Sequence, residues 1–237
     1  MSMQFSHQLT DTGIYAHLLY RIHPDEAKVL DEVDILEVVK KAIQQQNKYL
    51  RHKECNILIF ADTFGVIPEQ GIGGRCGDSD LVNIFIDQNH EAGVEHNVKK
   101  WLSSALAHEL CHARRYVNHP FGSTLADNLI EEGLACMFEE FIQPMLQVPY
   151  AHYLSSNQIK KAWEQARPLL KDKDNYNHDD WFYGGSGIEK WTGYSLGYDI
   201  VKSYLKKRDE NDPAQFIDLA ANDFIEEYGV KYNSNKR

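Results

Sequence analysis

His108-Glu109-Leu110-Cys111-His112 is the stretch of this 237-residue chain whose residue types and spacing could do chemistry. Residues four apart on an α-helix sit one turn above each other on the same face. Two imidazoles at that spacing can point at one metal ion, while the Glu between them leans toward its open coordination position. The surrounding pattern is helical: Val98, Trp101, Ala105, His108 and His112 form one stripe, so the histidines occupy places where core residues belong. Ala107 and Ala113 are small enough for close packing around them. Taken alone, the same pair could be two ordinary helix histidines.

A zinc hydrolase uses three protein ligands and keeps a fourth position for water. Downstream runs Leu129-Ile130-Glu131-Glu132-Gly133-Leu134-Ala135, two adjacent acids among apolar residues. Glu132 shares a stripe with Leu125, Leu129 and Cys136, whereas Glu131 shares one with Asn128, Ala135 and Phe138. An acid buried on an apolar stripe needs a partner, and a metal ion is a good one. Periodicity leaves both acids open as the third ligand.

The elements that must position these groups are legible in outline. Ala27, Leu30, Val33, Leu36, Val39 (or Val38) and Ile43 recur at helical spacing, which predicts a long amphipathic helix over 24–50. Residues 55–60 (CNILIF) read as a buried strand, and 81–87 (LVNIFID) as a second, with Val82, Ile84 and Ile86 on one face. Between them, 65–77 is rich in glycine and reads as a loop; lacking GK[ST], it is a poor phosphate cradle. Asn97 is the expected N-cap of a helix reaching Tyr116, and Thr124 with Asp127 resembles a capping box for a second helix ending near Ile142. A third helix is expected over 155–170, with Pro168 able to end it early; polar and glycine-rich loops follow over 171–187, then helices near 188–207 and 213–228. The class is α+β: a small N-terminal sheet packed on the HExxH helix, then a mainly helical C-terminal part. Residues 1–237 are expected to form a single domain, with 1–96 and 97–237 as its subregions.

LAHELCHA, with the Glu of EEGLA 20 residues beyond His112, resembles the gluzincin metallopeptidases. HELCHARR, LIEEGLACMFEE and GYSLGYDIV, in that order, resemble a family of predicted zinc-dependent proteases, domain of unknown function 2268, over roughly residues 70–205. The resemblance implies a zincin-like fold, one Zn²⁺ held by His108, His112 and Glu132, Glu109 as general base, and a peptide or protein substrate. It also implies a tyrosine or histidine downstream that stabilises the oxyanion; the Gly193-Tyr194-Ser195-Leu196-Gly197-Tyr198 block favours Tyr194, with Tyr198 as the alternative. Zincins place a substrate-pairing edge strand before the active-site helix, which here would be 81–87. One departure is Cys136, which stands where thermolysin-like enzymes carry an acid that orients a histidine.

Composition limits the alternatives. Hydrophobic residues at 43% and charged residues at 25% describe an ordinary globular chain. The formal charge of −10 argues against a nucleic-acid surface or an anionic-membrane surface. No secretory signal is visible and no run approaches the roughly 18 apolar residues of a membrane span, so a reducing cytoplasm is the expected setting. Cys55, Cys76, Cys111 and Cys136 form no CxxC pair, and packing is the expected role of Cys111. Among the other histidines only His178, beside Asp179 and Asp180, invites attention. The cluster Tyr176, Trp181, Phe182, Tyr183, Trp191, Tyr194 and Tyr198 reads as core before pocket. Two rival functions remain: a metal-binding or interaction module of the same fold without hydrolysis, and a zinc hydrolase of non-peptide amides or esters.

Overall fold

Alternation of apolar and polar residues governs the N-terminal half. In the computed structural model, which describes residues 4–8, 13–19, 35–173 and 176–234, the first strands are β1 (Gln4–Gln8) and β2 (Ile14–Leu19). They are followed by helix α1 (Ile35–Leu50) and strands β3 (Cys55–Ala61), β4 (Ile72–Asp78) and β5 (Leu81–Ile86). The strands form one five-stranded sheet in the order β1-β2-β3-β5-β4. β2, β3 and β5 run parallel, while β1 and β4 are antiparallel to their neighbours. Ile57 and Ile59 of β3 and Val82, Ile84 and Ile86 of β5 are buried on one face, as period-2 alternation requires. Burial of these branched side chains contributes about 1.5–3 kcal/mol each.

Two expectations are corrected here. The glycine-rich segment 65–77 is not wholly a loop, because its second half is strand β4. Glycine has low strand propensity, but here it permits close approach: a Cβ on Gly73 would collide with the carbonyl of Gly65. Strand 81–87 is not the sheet edge, since β5 lies between β3 and β4 and the terminal strand is β4.

Of the long helix expected over 24–50, Ile35–Leu50 is observed; Ala27, Leu30 and Val33 lie outside the described residues. Its buried face carries Ile35, Val39, Ala42, Ile43, Gln46 and Leu50. Helix α2 (Val94–Asn97) continues through a π-turn (Val98–Leu102) into α3 (Ser103–Tyr116). Asn97 is therefore not the N-cap. The helix starts four residues earlier at Gly93, whose φ of 82° a glycine adopts without strain. Asn97 is instead buried, its amide donating to the His90 ring at 2.9 Å.

The chain divides into two compact units, Met1–Arg114 and Arg115–Arg237, the boundary falling inside α3. In the second unit the Thr124 capping box is present and opens α4 (Leu125–Ile142). Helix α5 (Ser156–Ala166) ends in a 3₁₀ turn at Arg167–Leu169, where Pro168 cannot supply the next helical N–H. Next come a π-turn (Asp180–Gly184) and helix α6 (Thr192–Lys206). Residues 184–187 form a closed turn, with Gly185 and Ile188 exchanging backbone hydrogen bonds of 3.2 and 2.7 Å. The single helix expected over 213–228 is two elements, a 3₁₀ turn (Pro213–Phe216) capped by Asp212 and helix α7 (Ala221–Ser234). Helices α4 and α6 approach backbone to backbone: a Cβ on Gly133 would strike the Gly197 carbonyl, and one on Gly197 the Leu129 carbonyl. The core of this unit holds Phe138, Trp163, Trp181, Phe182 and Phe224.

Candidate metal and catalytic centre

Helix α3 is buried on nearly all sides between Leu106 and Ala113, which explains its run of small and apolar residues. His108, Glu109 and His112 are 8%, 7% and 6% exposed. A ligand nitrogen of His108 and one of His112 lie within 4.8 Å of each other. Their rings meet edge to face with centroids 4.6 Å apart. Two buried imidazoles at that separation suit one zinc ion, which prefers nitrogen and oxygen donors about 2 Å away.

The sheet reaches the same helix. Gly74 of β4 faces Glu109, and a Cβ there would fall 2.5 Å from Glu109 Cγ and 2.7 Å from Oε1. The side chain of Glu109 thus fits the space that a larger residue would fill. From α1, the Gln46 amide donates to the Ser103 carbonyl at 2.8 Å. His52 donates through Nε2 to the Leu110 carbonyl at 2.9 Å, inside the HExxH segment. Burial pulls the His52 pKa down to about 4, against the carbonyl bond that raises it, so the ring is neutral at physiological pH. Cys111 is buried in the helix flank, as packing requires.

In the second unit the two acids of α4 are separated by their surroundings. Glu131 is buried and lines a cavity of about 300 Å³ together with Arg115, His119 and Asp127. Glu132 is half-buried and its charge acts on Tyr176. Burial first, and then the charge of Glu132, push the Tyr176 phenol far above its usual range, so it keeps its proton. Sequence reasoning placed Tyr176 only within an aromatic cluster; nothing in its spacing announced the neighbouring Glu132.

Tyr194 lies in the first turn of α6 and is half-buried, its ring 5.0 Å from that of Tyr150 and 5.1 Å from that of Phe182. Tyr198 is buried, and its hydroxyl donates to Glu140 Oε2. The second oxygen of Glu140 accepts from His152. His178 stacks on Phe182 at 4.5 Å and meets the Tyr176 ring at 6.3 Å. Trp181 and Phe182 are core, whereas Tyr183 is exposed.

The sequence matches, over residues 35–226, the family described as "Predicted Zn-dependent protease (DUF2268)". The chain belongs to this family. Zinc is accordingly its metal, and the family's description names a protease. No curated protein matches the sequence. Among solved structures, yeast LTA4 hydrolase is similar with a TM-score of 0.49 and 15% identity, over 93% of this chain and 33% of that one. An aminopeptidase N family protein from Idiomarina loihiensis gives 0.45 and 13%, over 94% of this chain and 41% of that one. The chain thus spans less than half the length of either. Among the described residues no helix is long and apolar enough to cross a membrane.

Proposed function

We propose that this protein is a gluzincin-like zinc metallopeptidase whose two units work as one catalytic domain, with His108, His112 and Glu132 as the zinc ligands. The observation that carries the reading is the pair of buried ligand nitrogens of His108 and His112, within 4.8 Å on one helix face. Glu132 is preferred to Glu131 because Glu131 is turned to the cavity it shares with Arg115 and Asp127. Bound by such ligands, zinc would supply Lewis acidity, making a water nucleophilic near neutral pH and polarising a carbonyl oxygen.

The chain's own residues supply the rest. Glu109, packed against Gly74, takes a proton from the attacking water and returns it to the leaving amine. Tyr194 donates its phenolic hydrogen to the oxygen on which negative charge develops. Tyr198 is less suited to that task, because its hydroxyl is committed to Glu140. β4 is the terminal strand of the sheet, so an extended peptide can pair along its outer edge and pass beside Glu109. That edge favours peptides over small amides or esters. A reducing cytoplasm is the setting that suits its four buried cysteines.

The test combines metal content with turnover of a fluorogenic peptide library. Wild type and Glu109→Gln should each hold one zinc per chain, His108→Ala and Glu132→Ala should hold less, and only wild type should cleave. Undiminished turnover by Glu109→Gln, or full zinc in both ligand variants, overturns the reading.

A further inference from the structure

Residues 143–155, between α4 and α5, are strapped to both α4 and α6 by three side chains. The buried Tyr150 hydroxyl donates to Oε1 of the buried Glu139 at 2.6 Å. The Ser195 hydroxyl, one residue after Tyr194, donates to the Tyr150 carbonyl at 2.9 Å and accepts from the Leu154 amide at 3.3 Å. The Tyr150 ring in turn packs at 5.0 Å on Tyr194 and at 6.1 Å on Trp191. Trp191 is a non-glycine residue held at φ 61°, immediately before α6, a left-handed conformation that persists only where the surrounding structure imposes it. One residue therefore touches the start of α6 through its ring, its carbonyl and, by way of Glu139, a rigid neighbouring helix.

We propose that Tyr150 is a positioning residue: anchored on Glu139 and tied to Ser195, it fixes the ring of Tyr194 and so the place of its hydroxyl. This rests on the role of Tyr194 given above. Plain core packing would need the ring of Tyr150 but not its hydroxyl. A buried phenol beside a carboxylate is otherwise a costly choice where phenylalanine would fill the space. Burial and the charge of Glu139 drive the Tyr150 phenol well above its usual pKa, so it remains a donor at any pH the enzyme meets. A hydroxyl misplaced by about 1 Å can cost up to 10²-fold in rate, which is the effect the anchor prevents.

The experiment is a double-mutant cycle on the full-length zinc-loaded protein, with hydrogen exchange read in parallel. Tyr150→Phe keeps the ring and removes the bond to Glu139. It should lower kcat about tenfold with KM and zinc content unchanged, and should add less than about twofold on top of Tyr194→Phe. Amides of 192–198 should exchange faster in Tyr150→Phe, and those of 129–138 at the wild-type rate. Ser195→Ala, which cuts the other tie, should shift both readouts the same way. A wild-type kcat in Tyr150→Phe, or a loss repeated in full in the Tyr194→Phe background, overturns the proposal. Unchanged exchange over 192–198 overturns it whatever the activity. A wild-type kcat in Tyr194→Phe removes the role of Tyr194 itself, a failure distinct from that of the anchor.

Discussion

Gly74 and Glu109 stand so close that a Cβ at position 74 would lie 2.5 Å from Glu109 Cγ. The glycine on the edge strand thus keeps open the space in which the Glu109 carboxylate rests.

Gly74→Ala should therefore separate stability from activity. The group displaced is a side chain and not backbone: a turn of Glu109 about its Cα–Cβ bond moves Cγ and carboxylate together, with α3 left in place. Its carboxylate then leaves the place from which we propose it acts as general base, and kcat/KM should fall about 10²–10⁴-fold. Zinc content and melting temperature should stay near wild type. A variant with normal turnover would show that Glu109 does not need its observed position.

The His52–Leu110 bond makes an acid-sensitive tie to α3. Unfolded, His52 takes up a proton near pH 6.5; folded, burial delays this until about 4. Its neutral state is thus fully accommodated above pH 6.5, and stability is lost as pH falls from 6.5 to 4, by about 3 kcal/mol in total. His52→Gln can still donate to the carbonyl but does not titrate. Urea unfolding from pH 7.5 to 4 should give a shallower decline for the variant than for wild type. Parallel curves would refute the assignment.

Where α4 meets α6, both obstacles to a larger residue are backbone carbonyls, which cannot rotate away. Gly133→Ala and Gly197→Ala should each destabilise by about 1–3 kcal/mol, seen as a drop of several degrees in melting temperature. Because Glu132 adjoins Gly133, the first variant should also weaken zinc binding. Calorimetry and a competitive chelator titration measure the two effects.

Tyr194→Phe and Tyr198→Phe should fail in opposite ways. Losing the Tyr198 hydroxyl strips a partner from Glu140 and should cost about 1–3 kcal/mol of stability with kcat largely retained. Loss of the Tyr194 hydroxyl should lower kcat about 10²–10³-fold and leave the melting temperature nearly unchanged. Steady-state kinetics beside thermal melts of both variants test this crossing pattern.

Local patterns carried much of the fold. Thr124 and Asp127 announced α4 because a capping box is a contact among residues three apart. The HExxH spacing likewise brought His108 and His112 together because the partners share one helix. What escaped was non-local. Strand β4 was hidden because glycine suits a loop as well as a strand, and only the packing of Gly73 on Gly65 and of Gly74 on Glu109 decides between them. The edge position passed from β5 to β4 for the same reason, since sheet order is set by pairing rather than by succession in the chain. Asn97 carried a cap residue's signature, yet its amide serves His90. Tyr150 gave no signal at all, because its partners Glu139 and Ser195 are 11 and 45 residues away.

The π-turn at Val98–Leu102 has a consequence for how this helix can change length. One residue too many in a single turn rotates everything on one side of it by about 100° relative to the other. Asn97 is thereby aimed at His90, whose Nε2 holds the Pro68 carbonyl at 2.9 Å, while His108 and His112 keep a phase of their own. Deleting one residue between 98 and 102 would restore a plain α-helix and swing Asn97 away from His90, freeing the segment that feeds β4. The inserted residue works as a phase shifter, setting the face that carries Asn97 apart from the face that carries His108 and His112.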